Sequence, residues 1–261
     1  LERLHADIER FDPAEVLYSE ESDIVEQIKH RAGQRAVYQH QPPWWFEADS
    51  ATRLLTEQFG TRDLAGFGCA DMTAAVMAAG CLMQYVHNTQ RSAVPHIRSL
   101  GALRSDDAIV IDAASRRNLE IETNLAGGSD HTLAAVLDNT VSAMGSRAFR
   151  RWLQNPLRNR DIIGERHQAI GELLDTGYHH DLRTLLQNAG DIERILARVA
   201  LRSARPRDLE TLGRTLAGLP AMQQVLQRCH APLLQSLSEG AGEHPAEVDL
   251  LHRAIRENPP V

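Results

Sequence analysis

Residues 112–157 read DAASRRNLEIETNLAGGSDHTLAAVLDNTVSAMGSRAFRRWLQNPL, and this stretch decides the fold. It follows an apolar run at residues 108–111 that matches a strand pattern and ends in Asp112. Arg116-Arg117 open the Asn118-Leu119-Glu120-Ile121 segment of a short helix expected over residues 113–121. Gly127-Gly128-Ser129 is a flexible turn. Leu133, Val136 and Leu137 recur at spacings of three and four, so residues 132–137 read as a second short helix. A third helical pattern meets it at Met144-Gly145 and takes Phe149, Trp152 and Leu153 as its apolar face, until Asn155-Pro156 stops it. No nucleophile, metal cluster or phosphate loop accompanies these elements. The combination points to a helical scaffold.

Downstream, from Arg160, the pattern is almost entirely helical. Ile162, Ile163, Ile170 and Leu174 line one segment, and Leu182, Leu185 and Leu186 another. Asp191 is placed to cap a third, where Ile192, Ile195, Leu196 and Val199 recur at helical period. Trp152, Leu153, Ile192, Ile195 and Leu196 are the expected core of this region. Pro206 suits a first helical turn before Leu209, Leu212 and Leu216, and Gly218 with Pro220 closes that helix. Two further helices are expected over residues 222–229 and 247–257.

Upstream, Leu1, Leu4 and Ile8 share one helical face. Residues 16–18 and 36–38 are short strand candidates, and residues 24–30 a short helix. Gln41-Pro42-Pro43 breaks structure, and the Trp44-Trp45-Phe46 cluster after it is expected to pin the following helix, over residues 51–59 with Gly60 as its stop. A longer, alanine-rich helix then runs from about Asp71 to His87, suited to close packing against a partner. Residues 95–98 read as a linker. The chain begins within one helical pattern and stops between elements, so both ends look like cuts in a longer polypeptide.

Composition narrows the function. The 43 % apolar content suffices for a core, but aromatics are only 5 %, which favours helices over a sandwich or barrel. The net charge of −7 argues against a free-standing, non-specific nucleic-acid binder. The charge is uneven: residues 1–60 carry 6 basic and 12 acidic side chains, whereas residues 91–160 carry 10 basic and 7 acidic. A polyanion contact would fall in the second region. Lys29 is the only lysine, which excludes a standard P-loop. Cys69, Cys81 and Cys229 have no metal spacing and read as buried thiols in a reducing cytoplasm. No run reaches the roughly 20 apolar residues that span a bilayer.

The search for chemistry returns little. Asp106-Asp107 read as a solvated turn, His179-His180 as loop histidines, and Ser129 and Ser146 as helix-start residues. Arg147, Arg150 and Arg151 lie within four residues on one helix and have two readings. They neutralise phosphates, or they pair with acids on neighbouring helices and cover apolar surface with their stems. Arg194, Arg198 and Arg202 form a second stripe. Arg205, Arg207 and Asp208 sit at a loop–helix junction suited to a packing network.

Several longer motifs carry a family resemblance. Phe59-Gly60-Thr61-Arg62-Asp63-Leu64, Gly66-Phe67-Gly68, Ala79-Gly80-Cys81-Leu82, Thr89-Gln90-Arg91 and Pro95-His96-Ile97 resemble the connector region of the MutS family of bacterial mismatch-recognition ATPases. Ile111-Asp112-Ala113-Ala114, Arg116 to Ile121, Val136-Leu137-Asp138, Met144-Gly145, Arg151-Trp152-Leu153, Gly190 to Arg198 and Ala204 to Leu209 resemble its core, or lever, domain. The resemblance implies a mainly α chain: residues 1–100 as the latter part of an α/β, RNase-H-like connector, and residues 101–261 as the first part of the helical core, ending before the DNA clamp. It implies no catalytic, cofactor or metal residue within this chain, with ATP and magnesium bound elsewhere in a longer homodimeric protein. It implies mismatched double-stranded DNA and a MutL-like protein as partners of that protein, and no membrane. The role implied here is a scaffold coupling mismatch binding to ATP-driven change. Two other readings stand beside it, an independent arginine-dependent DNA-binding module and a helical adaptor for a MutL-like protein.

Overall fold

Helix caps and one close helix contact set the architecture of the computed structural model, which describes residues 2–11, 13–23, 25, 36–90, 94–102 and 108–256. The chain is 61 % helical with one small parallel sheet. It divides into two compact units, one of residues 1–104 and 110–127, the other of residues 105–109 and 128–261.

In the first unit, α1 (Glu2–Phe11) precedes β1 (Glu15–Ser19), which pairs in parallel with β2 (Val37–Gln41) so that Glu15 lies opposite Val37 and Ser19 opposite Gln41. Both strand candidates are therefore strands. The expected helix over residues 24–30 falls outside the described residues except for Val25. A 3₁₀ turn, Pro43–Phe46, leads into α2 (Ala48–Phe59), and α3 (Thr73–Gln90) packs against both. Trp45 and Phe46 are half-buried in that packing, but Trp44 is 62 % exposed, so the cluster pins α2 with only part of its aromatic surface. Gly60 ends α2 in the left-handed conformation, φ 63°, which glycine adopts without steric cost.

The contact that brings α2 and α3 together is made by two small residues. A Cβ on Gly80 would lie 2.3 Å from Ala51 Cβ and 2.7 Å from Ala51 Cα. Below this crossing, Ala51, Leu55, Leu64, Cys69, Val76, Met83 and Val94 form the core. Gln58 ties the extended segment after α3 to α2, its Nε2 donating to the carbonyls of Val94 and Ile97 at 3.0 Å each. The unit also holds α4 (Ala113–Asn118), which packs on α1 and is capped by Asp112, whose carboxylate accepts the Ser115 N–H at 2.9 Å.

Residues 108–111 form no strand. Ala108 makes a single antiparallel bridge with Leu157, and the Ile109 N–H donates to the Pro156 carbonyl at 2.7 Å. The partner segment cannot extend the ladder, because Pro156 has no N–H and the next helix starts at Arg160. Ile109 and Val110 are exposed accordingly. The residues of the Asp106-Asp107 turn lie outside those described.

Nine helices of the second unit follow among the described residues: α5 (Leu133–Leu137), α6 (Ala143–Gln154), α7 (Arg160–Thr176), α8 (Tyr178–Gln187), α9 (Ile192–Ala200), α10 (Pro206–Ala217), α11 (Leu219–Leu226), α12 (Pro232–Gly240) and α13 (Pro245–Ala254). Thr132, Ser142 and Asn159 cap α5, α6 and α7. Ser146, expected at a helix start, instead lies within α6, and His179-His180 lie in α8, not in a loop. Gly218 ends α10 as its C-cap, as expected. It stays right-handed, with φ −82°, and Pro220 sits in the first turn of α11, where its missing N–H costs nothing. α7, α8, α11 and α12 enclose a core of Ala169, Leu226, Cys229, Ala231 and Leu234. Gly213 brings α10 close to Leu251 of α13.

The Gly80 crossing yields a direct expectation. Gly80→Ala gains about 0.8–1 kcal/mol of helix propensity, but overpacking typically costs 1–3 kcal/mol, roughly. Because Ala51 Cα is backbone and cannot rotate away, the clash wins. The urea midpoint should fall, and adding Ala51→Gly should restore only part of it.

Candidate functional site

Where the sequence offers three arginines, the structure uses one of them as a joint. Arg147 lies in the second turn of α6, a helix without a fully buried residue and without close packing against any other helix among those described. Its guanidinium reaches α9. Nη1 donates to Asp191 Oδ2 and Nη2 to Asp191 Oδ1, both at 2.7 Å, and Nη2 also donates to Glu193 Oε2 at 2.7 Å. A planar fork meeting a carboxylate at two points is the strongest form of side-chain ion pair.

Asp191 is fixed before Arg147 arrives. It caps α9, accepting the Arg194 N–H at 3.3 Å, and with Glu193 it places negative charge at the positive end of that helix. The preceding Gly190 donates its N–H to Thr215 Oγ1 on α10 at 2.8 Å. A Cβ there would sit 2.3 Å from Thr211 Cγ2, so only glycine lets the cap come this near α10. Thr215 is buried, and its own hydroxyl donates a hydrogen bond to the Thr211 carbonyl. The joint continues to the other end of α9, where Arg198 Nη1 donates to Asp208 Oδ1 at 2.5 Å while Asp208 Oδ2 accepts the Arg205 N–H. The network expected around Arg205 and Asp208 is thus present.

The start of α6 is held by a second set of polar ties. Asp138 accepts from Ser146 Oγ at 2.5 Å and from Thr140 Oγ1 at 2.6 Å, and Arg183 of α8 donates to the Asn139 carbonyl at 2.6 Å. Ser146 and Thr140 hold the Asp138 carboxyl below the usual carboxylate range, with Arg150 adding its charge. Asp191 is likewise held low, first by the hydrogen bonds from Arg147, which in turn lifts Arg147 further above its ordinary value. Elsewhere in this unit, Glu172 of α7 accepts the N–H groups of His230 and Ala231 at 2.6 and 2.7 Å, capping α12 from outside and lowering its own pKa. Neither Glu172 nor Thr215 was singled out by sequence, because each acts on backbone N–H groups 25 or more residues away.

The three arginines therefore do not converge. Arg147 is committed to carboxylates, Arg150 sits beside Asp138, and Arg151 is exposed. The expected core needs revision as well. Ile195 is buried, and Leu153 and Ile192 are half-buried, but Trp152 is 51 % exposed and Leu196 49 %. Trp152 is on the last turn of α6, a helix without a fully buried residue, and its ring is covered by Arg166, whose Cζ lies 3.7 Å from the ring centroid.

Chemistry of other kinds has no visible support. Among the described residues, no three His, Cys, Asp or Glu side chains converge on a metal position, and no helix is long and apolar enough to cross a membrane. Burial pushes the Cys81 thiol up to about 11 and raises Cys229, the reverse of nucleophile activation. The first unit has a cleft of about 380 Å³ lined by Trp44, Trp45, Arg53, Leu54, Glu57 and Gln84.

The joint has an acid dependence of definite sign. The folded state holds Asp191 more strongly deprotonated than the unfolded chain does, so the stabilisation is complete above the ordinary aspartate range and is lost as the pH falls through the lowered folded value. Asp191→Asn keeps a capping oxygen and loses the charge. It should flatten the acid limb of a stability–pH curve, whereas Asp191→Ala should lose a further ~1 kcal/mol with the cap. Parallel acid limbs for wild type and Asp191→Asn would contradict this assignment.

Comparison with known families agrees with the elements just described. Residues 1–98 match the model for MutS domain II, and residues 114–261 match that for MutS domain III. Together the two matches take in both compact units and every helix of the polar joint. The chain belongs to the MutS family, whose work is DNA mismatch repair, and it spans that family's domains II and III.

Proposed function

We propose that this chain is the non-catalytic scaffold segment of a mismatch-recognition ATPase, coupling the state of its DNA-binding end to that of its nucleotide-binding end. The carrying observation is the Arg147–Asp191–Glu193 joint. A transmission element needs rigid bodies connected at points that can rearrange as units, because packed cores have discrete arrangements and do not deform continuously. Helix α6 meets this description. It is held to α9 and to the Asp138 turn by directional polar ties, with no fully buried residue of its own. Such ties exchange for water or for other partners at lower cost than a close-packed core.

On this reading the segment itself turns nothing over. ATP and magnesium act in another part of the longer homodimeric protein, and mismatched duplex DNA is read there too. An independent DNA-binding module led by Arg147 is disfavoured, since that guanidinium already serves three carboxylate oxygens. The adaptor reading has one observation in its favour. The cleft beside the exposed Trp44 in the first unit offers an aromatic edge with Arg53 and Glu57 nearby, a surface suited to a MutL-like protein.

The test is made in the full-length protein carrying Arg147→Gln. Mismatch affinity and basal ATP hydrolysis should each stay near wild type, while the change in hydrolysis caused by mismatched DNA should shrink by about fivefold or more, the lower end of typical coupling free energies. Retained coupling with an otherwise intact protein would refute the role assigned to the joint.

A further inference from the structure

The hairpin made by the end of α6, residues 155–159 and the start of α7 stands out by charge. Residues 147–166 contain six arginines and two carboxylates, Asp161 and Glu165, in a chain whose net charge is −7. Arg147 is neutralised by Asp191 and Glu193, and Arg150 lies near Asp138. Four remain. Arg151, Arg158 and Arg160 are exposed, and none of them nor Arg166 makes an ion pair among the described residues. Arg166 instead lies over the ring of Trp152, itself 51 % exposed.

This arrangement differs from an ordinary solvated face in two respects. Acids are plentiful in the chain, yet these cations are left without them, so the hairpin keeps a local positive field. A large indole is also left in water beside them. Stacking on the indole removes water from one face of the Arg166 guanidinium and leaves its N–H edge free to donate outward. Unpaired arginines next to an exposed aromatic surface match a sugar–phosphate chain, with forks for the phosphates and an apolar ring for sugar or base faces. An acidic peptide would satisfy the charge and leave the indole without a counterpart. Membership of a DNA mismatch-repair family makes DNA the polyanion at hand.

The geometry points to a sequence-independent contact for the DNA backbone on this α6–α7 hairpin, made by Arg151, Arg158, Arg160 and the Arg166–Trp152 stack. The contact is separate from mismatch reading and from the coupling joint, and it leaves Arg147 in place.

The test is fluorescence anisotropy of a labelled, fully matched duplex titrated with the 261-residue chain across a salt series. Four neutralised phosphates give a slope of log K against log salt of about −3.6. R151Q/R158Q/R160Q should flatten it to about −0.9, with a thermal melt confirming the fold. R158Q alone, a milder change, should remove about 0.9 of slope. R62Q/R202Q/R228Q, which makes the same change in net charge at exposed positions elsewhere, should keep the steep slope. Equal effects of the two triple variants would overturn the contact. So would absence of duplex binding at the lowest salt, or a polyglutamate peptide binding where duplex does not. Loss of the salt slope with intact mismatch-dependent coupling in the full-length protein would separate this contact from the scaffold role.

Discussion

The fork between Arg147 and Asp191 is the constraint on which the placement of α6 in the second unit depends. Helix α6 has no fully buried residue, so its polar partners weigh heavily in setting its position. Asp191 is fixed independently by the cap of α9 and by the close approach of Gly190 to Thr211 and Thr215. Position is therefore inherited in one direction, from α10 to the cap of α9 and from the cap to α6. A carboxylate with both oxygens engaged by one fork is directional as well as strong, and a helix tied in this way has a defined orientation without a close-packed interface.

The first unit solves the same problem by the opposite means. Gly80 and Ala51 let two helices approach until backbone meets side chain, and dispersion contacts below that point are short-range and unforgiving of added volume. Gln58 then secures the extended segment through the carbonyls of Val94 and Ile97. Close apolar packing in one unit and polar jointing in the other lead to different responses. The first resists rearrangement until it unfolds. The second can exchange its partners while its helices remain intact.

Much of this was legible in the sequence, and the exceptions have physical causes. Helix periods, the Asp191 cap, the Pro206 first turn, both strands of the sheet and the three buried thiols were all readable, because each depends on neighbours within a few residues. The apolar run at residues 108–111 misled, since a strand exists only if a partner can donate and accept along its length, and Pro156 cannot. Trp152 and Leu196 misled because apolar character shows which residues can be buried, while burial depends on a neighbour that packs against them. The arginine cluster was read as one group of three. Only the partner, 44 residues away in the chain, distinguishes Arg147 from the rest. Pro220 illustrates a milder case: Gly218 does end α10, but the proline read as part of that stop opens the first turn of α11.

The central claim is that α6 is held from the side by a single charged fork. Native-state amide hydrogen exchange on the wild-type chain and on Arg147→Gln addresses it most directly. The account requires faster exchange confined to α6 and the first turn of α9, with α10 to α13 unchanged. Unaltered protection in α6, or a uniform loss across the unit, would contradict it.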